Sequence, residues 1–202
     1  MIQLETAHES PLEIRLLAKT SPAWISQVLE KFDLFLVDHA ACERKASATA
    51  IQFVVKYPDR LGLVDPMIRL AREELLHFHQ VARLLLERKI SIGGDEKDPY
   101  INLLLGECRH GRDEHFLDRL LCFGVVEARG TERFGLVAEN HPDSSLRRFY
   151  RKLTEAEARH HQSFVDLACL YFEQEQVEER LRFLLQREAE IVSVLKLRPA
   201  VH

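Results

Sequence analysis

Six residues of this chain have the types and the spacing to hold a pair of metal ions. Glu43 is followed thirty-one residues later by Glu74-Leu75-Leu76-His77, and Glu127 is followed thirty residues later by Glu157-Ala158-Arg159-His160. On a helix, positions i and i+3 face the same way, so each Glu-x-x-His offers an oxygen and a nitrogen donor from one face. A lone Glu, a helical hairpin's length and then Glu-x-x-His, done twice, lets a four-helix bundle surround two ions with four carboxylates and two imidazoles. So carboxylate-rich a donor set suits iron or manganese better than zinc or copper. Two ferrous ions can jointly reduce dioxygen; the oxidised pair can then hydroxylate a C–H bond, release ferric iron or handle peroxide.

The short motif is weak by itself. With 22 Glu and 10 His in 202 residues, about one Glu-x-x-His is expected by chance, and four occur. Glu5…His8 lies in a pre-helical tail and Glu107…His110 between Gly106 and Gly111, so neither belongs to a long helix. The two that do are the two with a lone Glu upstream. Small residues flank both lone glutamates: Ala40, Ala46, Ser47 and Ala50 around Glu43, and Gly124, Gly130 and Thr131, with Phe123 and Phe134, around Glu127. Each helical glycine costs about 1 kcal/mol against alanine. Close helix packing explains such residues, and so does room beside metals for oxygen and an organic substrate. Their crowding at one level of two ligand helices favours room. His39, one turn before Glu43, reads either as a hydrogen-bond partner of a ligand or as an ordinary partly buried histidine. His79, His161, Asp38 and Glu73 are expected to point away from the metals or lie at the surface, and Trp24, Met67 and the phenylalanines to be core.

The elements that must position these residues are long helices. The spacing predicts helices over 22–57, 66–89, 112–140, 142–173 and 175–195. Ser21-Pro22 and Asp65-Pro66 read as N-cap and first-turn proline, and His141-Pro142-Asp143 as a tight break. Apolar spacing at Leu70, Leu75, Phe78, Val81 and Leu85, and at Leu153, Phe164, Leu167 and Leu170, supports the second and fourth helices. Residues 90–111, with Gly93-Gly94 and Asp98-Pro99, have the turn chemistry of a crossover between two hairpins, with a short helix near 99–105. The expected fold is all-α: a single ferritin-like four-helix bundle over 1–202, with one long crossover, a lead-in over 1–20 and an extra C-terminal helix and tail over 175–202.

At 23.5 kDa the chain suits one domain with a substantial core. Its 46% hydrophobic and 30% charged residues are an ordinary soluble mixture. The first residues lack a basic-then-apolar signal pattern and the longest apolar run, 120–126, is too short to span a bilayer, so a cytoplasmic protein is expected. Four cysteines without a C-x-x-C pair read as reduced thiols. Setting the four inward glutamates aside, a formal charge of −4 becomes neutral, and two divalent cations would balance those glutamates inside. Charge therefore does not mark a nucleic-acid binder, although Arg109 and Arg112, and Arg147, Arg148, Arg151 and Lys152, form local basic clusters. No Gly-rich phosphate loop, G-x-S-x-G elbow or H-E-x-x-H motif occurs.

Longer stretches around the six residues carry a resemblance. Leu36-Val37-Asp38-His39-Ala40-Ala41-Cys42-Glu43-Arg44-Lys45-Ala46, Leu70-Ala71-Arg72-Glu73-Glu74-Leu75-Leu76-His77-Phe78, Val126-Glu127-Ala128-Arg129 and Glu155-Ala156-Glu157-Ala158-Arg159-His160 resemble the tRNA hydroxylase family MiaE, over about residues 16–170. The resemblance implies a di-iron, dioxygen-dependent monooxygenase that hydroxylates the isopentenyl group of 2-methylthio-N6-isopentenyladenosine beside the anticodon. By the family's pattern Glu74 and Glu157 would bridge the irons, Glu43 and Glu127 would be terminal ligands, and His77 and His160 would each cap one iron. Thr131 resembles the active-site threonine of bacterial di-iron monooxygenases, which implies a part in proton delivery; a threonine bonded to its own helix is the alternative. The two basic clusters would contact tRNA phosphates. With no flavin or iron–sulfur motif in the sequence, electrons would come from a separate reductase. The competing expectation is a ferritin-like ferroxidase or storage subunit with no nucleic-acid substrate, and a manganese catalase is a third.

Overall fold

A computed structural model describes residues 12–94 and 96–202 of the protein; the Glu5…His8 pair and most of the lead-in lie outside them. The described residues form seven helices and no strand: α1 Pro22–Glu30, α2 Phe32–Lys56, α3 Leu61–Glu87, α4 Pro99–Leu105, α5 Arg112–Asn140, α6 Ser144–Tyr171 and α7 Gln174–Val194. Two antiparallel hairpins, α2–α3 and α5–α6, face each other as a ferritin-like four-helix bundle. Residues 88–111, carrying α4, make the long crossover, while α7 packs on α5 and α4.

Three boundaries differ from the expected ones. The expected helix over 22–57 breaks at Lys31, which caps the end of α1 and the start of α2 with φ −120° and ψ 43°. No proline or glycine marks that break; burial of Trp24 and Val28 directs α1 across the bundle end. The Asp65-Pro66 pair does not begin α3, which starts a turn earlier at Leu61 and contains Pro66. Fully buried Leu63 pins that extra turn to the core, and Asp65 pairs with Arg69 at 2.8 Å instead of capping. The α6 cap is Asp143, which accepts from the Ser145 amide, so the helix begins after Pro142. Ser21 and Asp98 do cap α1 and α4.

The core has two apolar clusters with a polar waist between them. One holds Phe53, Met67, Phe116, Leu121 and Phe164; the other holds Trp24, Phe35, Val81, Phe134 and Leu153. On each of the four bundle helices the expected ligand residues fall between positions belonging to one cluster and positions belonging to the other. The inward stripe of α3 runs through Leu70, Glu74, His77, Val81 and Leu85, so Leu75 is turned outward and 56% exposed; Leu170 on α6 is likewise exposed. Phe183 is also exposed, beneath the Arg180 guanidinium.

A buried ion pair fastens α7 to the bundle. Arg129 donates from Nε and Nη2 to Glu188 at 2.8 and 3.0 Å, and the Tyr100 hydroxyl donates to the same carboxylate at 3.0 Å. Remaining guanidinium donors reach Thr20, Glu132 and the Ala18 carbonyl, so a fully buried arginine is satisfied on all sides.

Candidate metal centre

The waist brings all six expected ligand residues together. One donor atom from each of Glu43, Glu74, His77 and Glu157 lies within 4.8 Å of the others, and the same holds for Glu74, Glu127, Glu157 and His160. Glu74 and Glu157 belong to both groups. His77 Nδ1 faces Glu157 at 3.0 Å, Glu74 at 3.5 Å and Glu43 at 3.7 Å. His160 Nδ1 faces Glu157 at 2.7 Å and Glu74 at 2.8 Å. Glu127 is half-buried, at the wall of an adjoining cavity.

Without cations this cluster is electrostatically unfavourable. Burial raises the carboxyls of Glu43, Glu74 and Glu127 above their ordinary range; repulsion from Glu43 adds to it for Glu74, and from Glu74 and Glu157 for Glu127. Burial disfavours charge on His77, but Glu157, Glu43 and Glu74 outweigh it and push its pKa up to about 12. His160 is likewise pushed up to about 12 by Glu157 and Glu74 against its burial. Protons thus stand in for positive charge. Glu74 Oε1, His77 Nδ1 and Glu157 Oε1 lie within 2.8–3.0 Å of an ion-pair partner, but none of these contacts is aligned as a hydrogen bond, and all three atoms point into the same small space. Buried polar atoms normally have partners, and divalent cations at these positions would supply them. The buried Glu/His group is capable of binding metal, and its donors fit two ions sharing two carboxylates.

Supporting residues hold the donors in place. His39 is fully buried, and burial lowers its pKa to about 3, so its ring is neutral. Its Nε2–H donates to Glu43 at 2.6 Å and its Nδ1 accepts from the Tyr150 hydroxyl at 3.0 Å. Glu73, expected at the surface, is 49% exposed yet accepts from His160 Nε2 at 3.0 Å, leaving Nδ1 turned inward toward the carboxylates. Asp38 is also not a plain surface charge: it accepts the Val201 amide at 2.7 Å. The same tail is held by Arg133 on the Val201 carbonyl and Trp24 on the Ala200 carbonyl, and His202 stacks on Tyr100. No periodicity or motif in residues 196–202 signals this wall.

The adjoining cavity has a volume of about 550 Å³ and is lined by Glu43, Glu74, Glu127 and Glu157, by apolar Ala46, Phe123, Val126, Phe134, Ile101 and Leu105, and by polar groups that include Gln52, His115, Arg119 and His202. The two glycines beside Glu127 divide. Gly130 lines the cavity, as expected of a residue leaving room. Gly124 does not: a Cβ there would meet Ile14 Cδ1 at 2.8 Å and Phe164 Cβ at 3.2 Å, so it serves close α5–α6 packing. Around Glu43, Ala46 lines the cavity, Ala40 and Ala50 are buried in the core, and Ser47 donates to the Ala71 carbonyl at 2.7 Å.

Thr131 donates its hydroxyl to the Glu127 carbonyl at 2.8 Å, the helix-bonded alternative, and is not among the cavity-lining residues. Neither basic cluster lines the cavity. Arg109 binds Asp118 and Arg112 binds Asp59 near the start of α5. Arg147, donating to the His141 and Pro142 carbonyls, and exposed Arg148, Arg151 and Lys152 stand in the first turns of α6, toward the opposite end of that antiparallel hairpin. All four cysteines are free thiols. No helix among the described residues is long and apolar enough to cross a membrane.

Known proteins match this arrangement along nearly its whole length. A protein from Pseudomonas putida named tRNA 2-(methylsulfanyl)-N(6)-isopentenyladenosine(37) hydroxylase is 35% identical over 173 residues, covering 86% of this chain and 84% of that protein. One of the same name from Salmonella typhimurium is 28% identical, covering 91% of this chain and 85% of that protein. A solved structure titled "Protein 43 with aldehyde deformylating oxygenase activity from Synechococcus" superposes with a TM-score of 0.87 at 37% identity, covering 92% of this chain and 93% of that one. The profile of the family described as tRNA-(MS[2]IO[6]A)-hydroxylase (MiaE) matches residues 8–202, and the chain belongs to that family.

Proposed function

We propose that the centre holds two iron ions and that the enzyme uses dioxygen to hydroxylate the isopentenyl group of 2-methylthio-N6-isopentenyladenosine next to the anticodon of tRNA. The observation that carries this reading is the pair of overlapping donor groups with Glu74 and Glu157 in common, beside a mostly apolar cavity. Glu74 and Glu157 would be shared by both ions, Glu43 and His77 would complete one, and Glu127 and His160 the other. A bound di-iron pair supplies two-electron reduction of dioxygen and insertion of one oxygen atom into a C–H bond. The donors suit iron or manganese, and iron is proposed over manganese for the dioxygen chemistry of this reading.

The chain's own residues supply position and exclusion. Neutral His39 orients Glu43, and Glu73 orients His160. Phe123, Val126, Phe134 and Ala46 give the prenyl group an apolar surface and keep water from the reacting end, while Gly130 leaves space beside Glu127. Thr131 is retained as a candidate for proton delivery, with its backbone hydrogen bond as the competing role. A separate reductase would deliver electrons, and the enzyme would work in the cytoplasm where tRNA is modified. Phosphate contact by Arg109 and Arg112, or by Arg147, Arg148, Arg151 and Lys152, is part of the same proposal. Charge reversal at Arg151 and Lys152 is expected to raise KM for tRNA and change its salt sensitivity; unchanged kinetics would exclude that cluster.

The decisive test pairs metal analysis with turnover. Glu74→Ala and His160→Ala are each expected to lose iron and hydroxylation together, and retained turnover would refute the ligand assignment. Mass spectrometry of tRNA nucleosides from cells with and without the gene tests the substrate. A hydroxylated prenyl-adenosine that persists in the deletion strain would overturn it, as would turnover of an aldehyde by a preparation indifferent to prenylated tRNA.

A further inference from the structure

Away from the carboxylates, the cavity wall carries an arginine with no counter-charge. Arg119 lies with its guanidinium over the rings of Phe53 and Phe123, at 5.0 and 5.4 Å from their centroids, and its Nε is buried with no hydrogen-bond partner. No carboxylate among the described residues forms an ion pair with it. Its neighbours in this part of the molecule differ: Arg60 pairs with Asp113 at 2.5 Å, Arg112 with Asp59 at 2.6 Å, Arg109 and Arg180 with Asp118 at 2.8 Å, and Arg187 with Glu107 at 2.9 Å. Five guanidinium groups are neutralised, and the one that lines the cavity is not.

Position gives this charge a meaning. Arg119 precedes Glu127 by eight residues of α5, about 12 Å of helix rise. An N6-prenylated nucleotide has a comparable span: with its prenyl tip at the carboxylates, the chain and the purine occupy the apolar section and the phosphate emerges at the other end. The two rings hold the guanidinium in place before any ligand arrives, and a planar fork of N–H donors matches phosphate oxygens. We propose that Arg119 is a phosphate anchor, binding the backbone phosphate of the modified nucleotide at a fixed distance from the metal centre. This rests on the hydroxylase reading above. It also assigns a nucleotide contact to the cavity wall, apart from the basic clusters outside it.

The test uses the iron-loaded chain and its Arg119→Gln and Arg119→Lys variants, with dioxygen and a chemical one-electron reductant supplied in excess, and two substrates: an anticodon stem–loop RNA carrying the prenylated adenosine, and the free prenylated nucleoside, which has no phosphate. Arg119→Gln is expected to raise KM for the stem–loop at least about tenfold and reduce the salt dependence of its binding by about one charge. Lysine should recover part of the loss, while iron content, kcat and nucleoside turnover stay at the wild-type level. An unchanged KM for the stem–loop would overturn the anchor, as would an equal loss on both substrates, which marks a packing role over Phe53 and Phe123. Stem–loop binding measured by anisotropy needs no turnover. If the wild type hydroxylates neither substrate, the hydroxylase reading fails, while the anchor stands or falls on whether Arg119→Gln weakens that binding.

Discussion

At the residue scale, two of the ligand candidates, Glu43 and His160, depend on a neighbour that fixes which way their donor atoms face. Glu73 does not line the cavity, but its bond to His160 Nε2 keeps Nδ1 aimed at Glu74 and Glu157. Glu73→Gln is expected to weaken iron binding by about tenfold, measured by competition with a chelator, because a neutral amide orients the ring less strongly and the carboxylate is half exposed. Thr131 presents the opposite case. Its hydroxyl already donates within its own helix, so Thr131→Val is expected to leave kcat within about twofold of wild type. A fall of a hundredfold, with a solvent isotope effect, would instead place that hydroxyl in proton delivery.

At the element scale, the two glycines of α5 make opposite demands. Gly124→Ala brings a Cβ against Phe164 Cβ, which cannot retreat unless α5 and α6 separate, and against the movable tip of Ile14. Overpacking of about 1–3 kcal/mol outweighs a propensity gain of about 1 kcal/mol, so urea unfolding should show a net loss of roughly 1 kcal/mol. Gly130→Ala meets nothing closer than 3.9 Å and should leave stability unchanged or slightly improved while slowing turnover, since its methyl group enters the cavity. Where α7 and the crossover meet α5, Asp118 is the hub. Burial raises its pKa, but its bonds to Arg109 and Arg180 outweigh burial and hold it below the ordinary carboxylate value. A folded-state value below the unfolded one means its contribution is present in full above the unfolded pKa of about 3.9 and lost as pH falls through the folded value. Asp118→Asn should therefore flatten the fall in stability below about pH 4. It should also lower stability at pH 7 by about 2–3 kcal/mol, less than a fully enclosed pair because Arg109 is 41% exposed.

At the scale of the whole molecule, the bundle is two apolar blocks joined through a polar waist, and the waist is stable only if its charges are balanced. Glu43, Glu74 and Glu157 are nearly inaccessible, so stripping metal exchanges cations for protons and unpaired donors. Chelation is expected to lower Tm by several degrees, reversibly on adding ferrous iron, and to leave helix content by circular dichroism nearly unchanged because both apolar blocks remain. A Tm indifferent to metal would mean that the waist is held by hydrogen bonds alone.

Most of the helices, their hairpin pairing and the six residues that meet at the waist are legible in the order of residues alone. Those features depend on local spacing: i to i+3 on one helix face, and a polar pair interrupting an apolar stripe, as Glu74 and His77 do between Leu70 and Val81. The rest is set by packing, because it depends on which surfaces meet across long separations. The break at Lys31 has no local breaker, and the first turn of α3 is held by the burial of Leu63 against Asp65-Pro66. Asp38 reaches a tail more than 160 residues away and Glu73 reaches across to α6, so neither could be told from a surface carboxylate by its neighbours in the chain. Arg119 and the arginines around it are alike as residues. Packing neutralised the others and left this one facing the cavity, and no spacing rule encodes that difference.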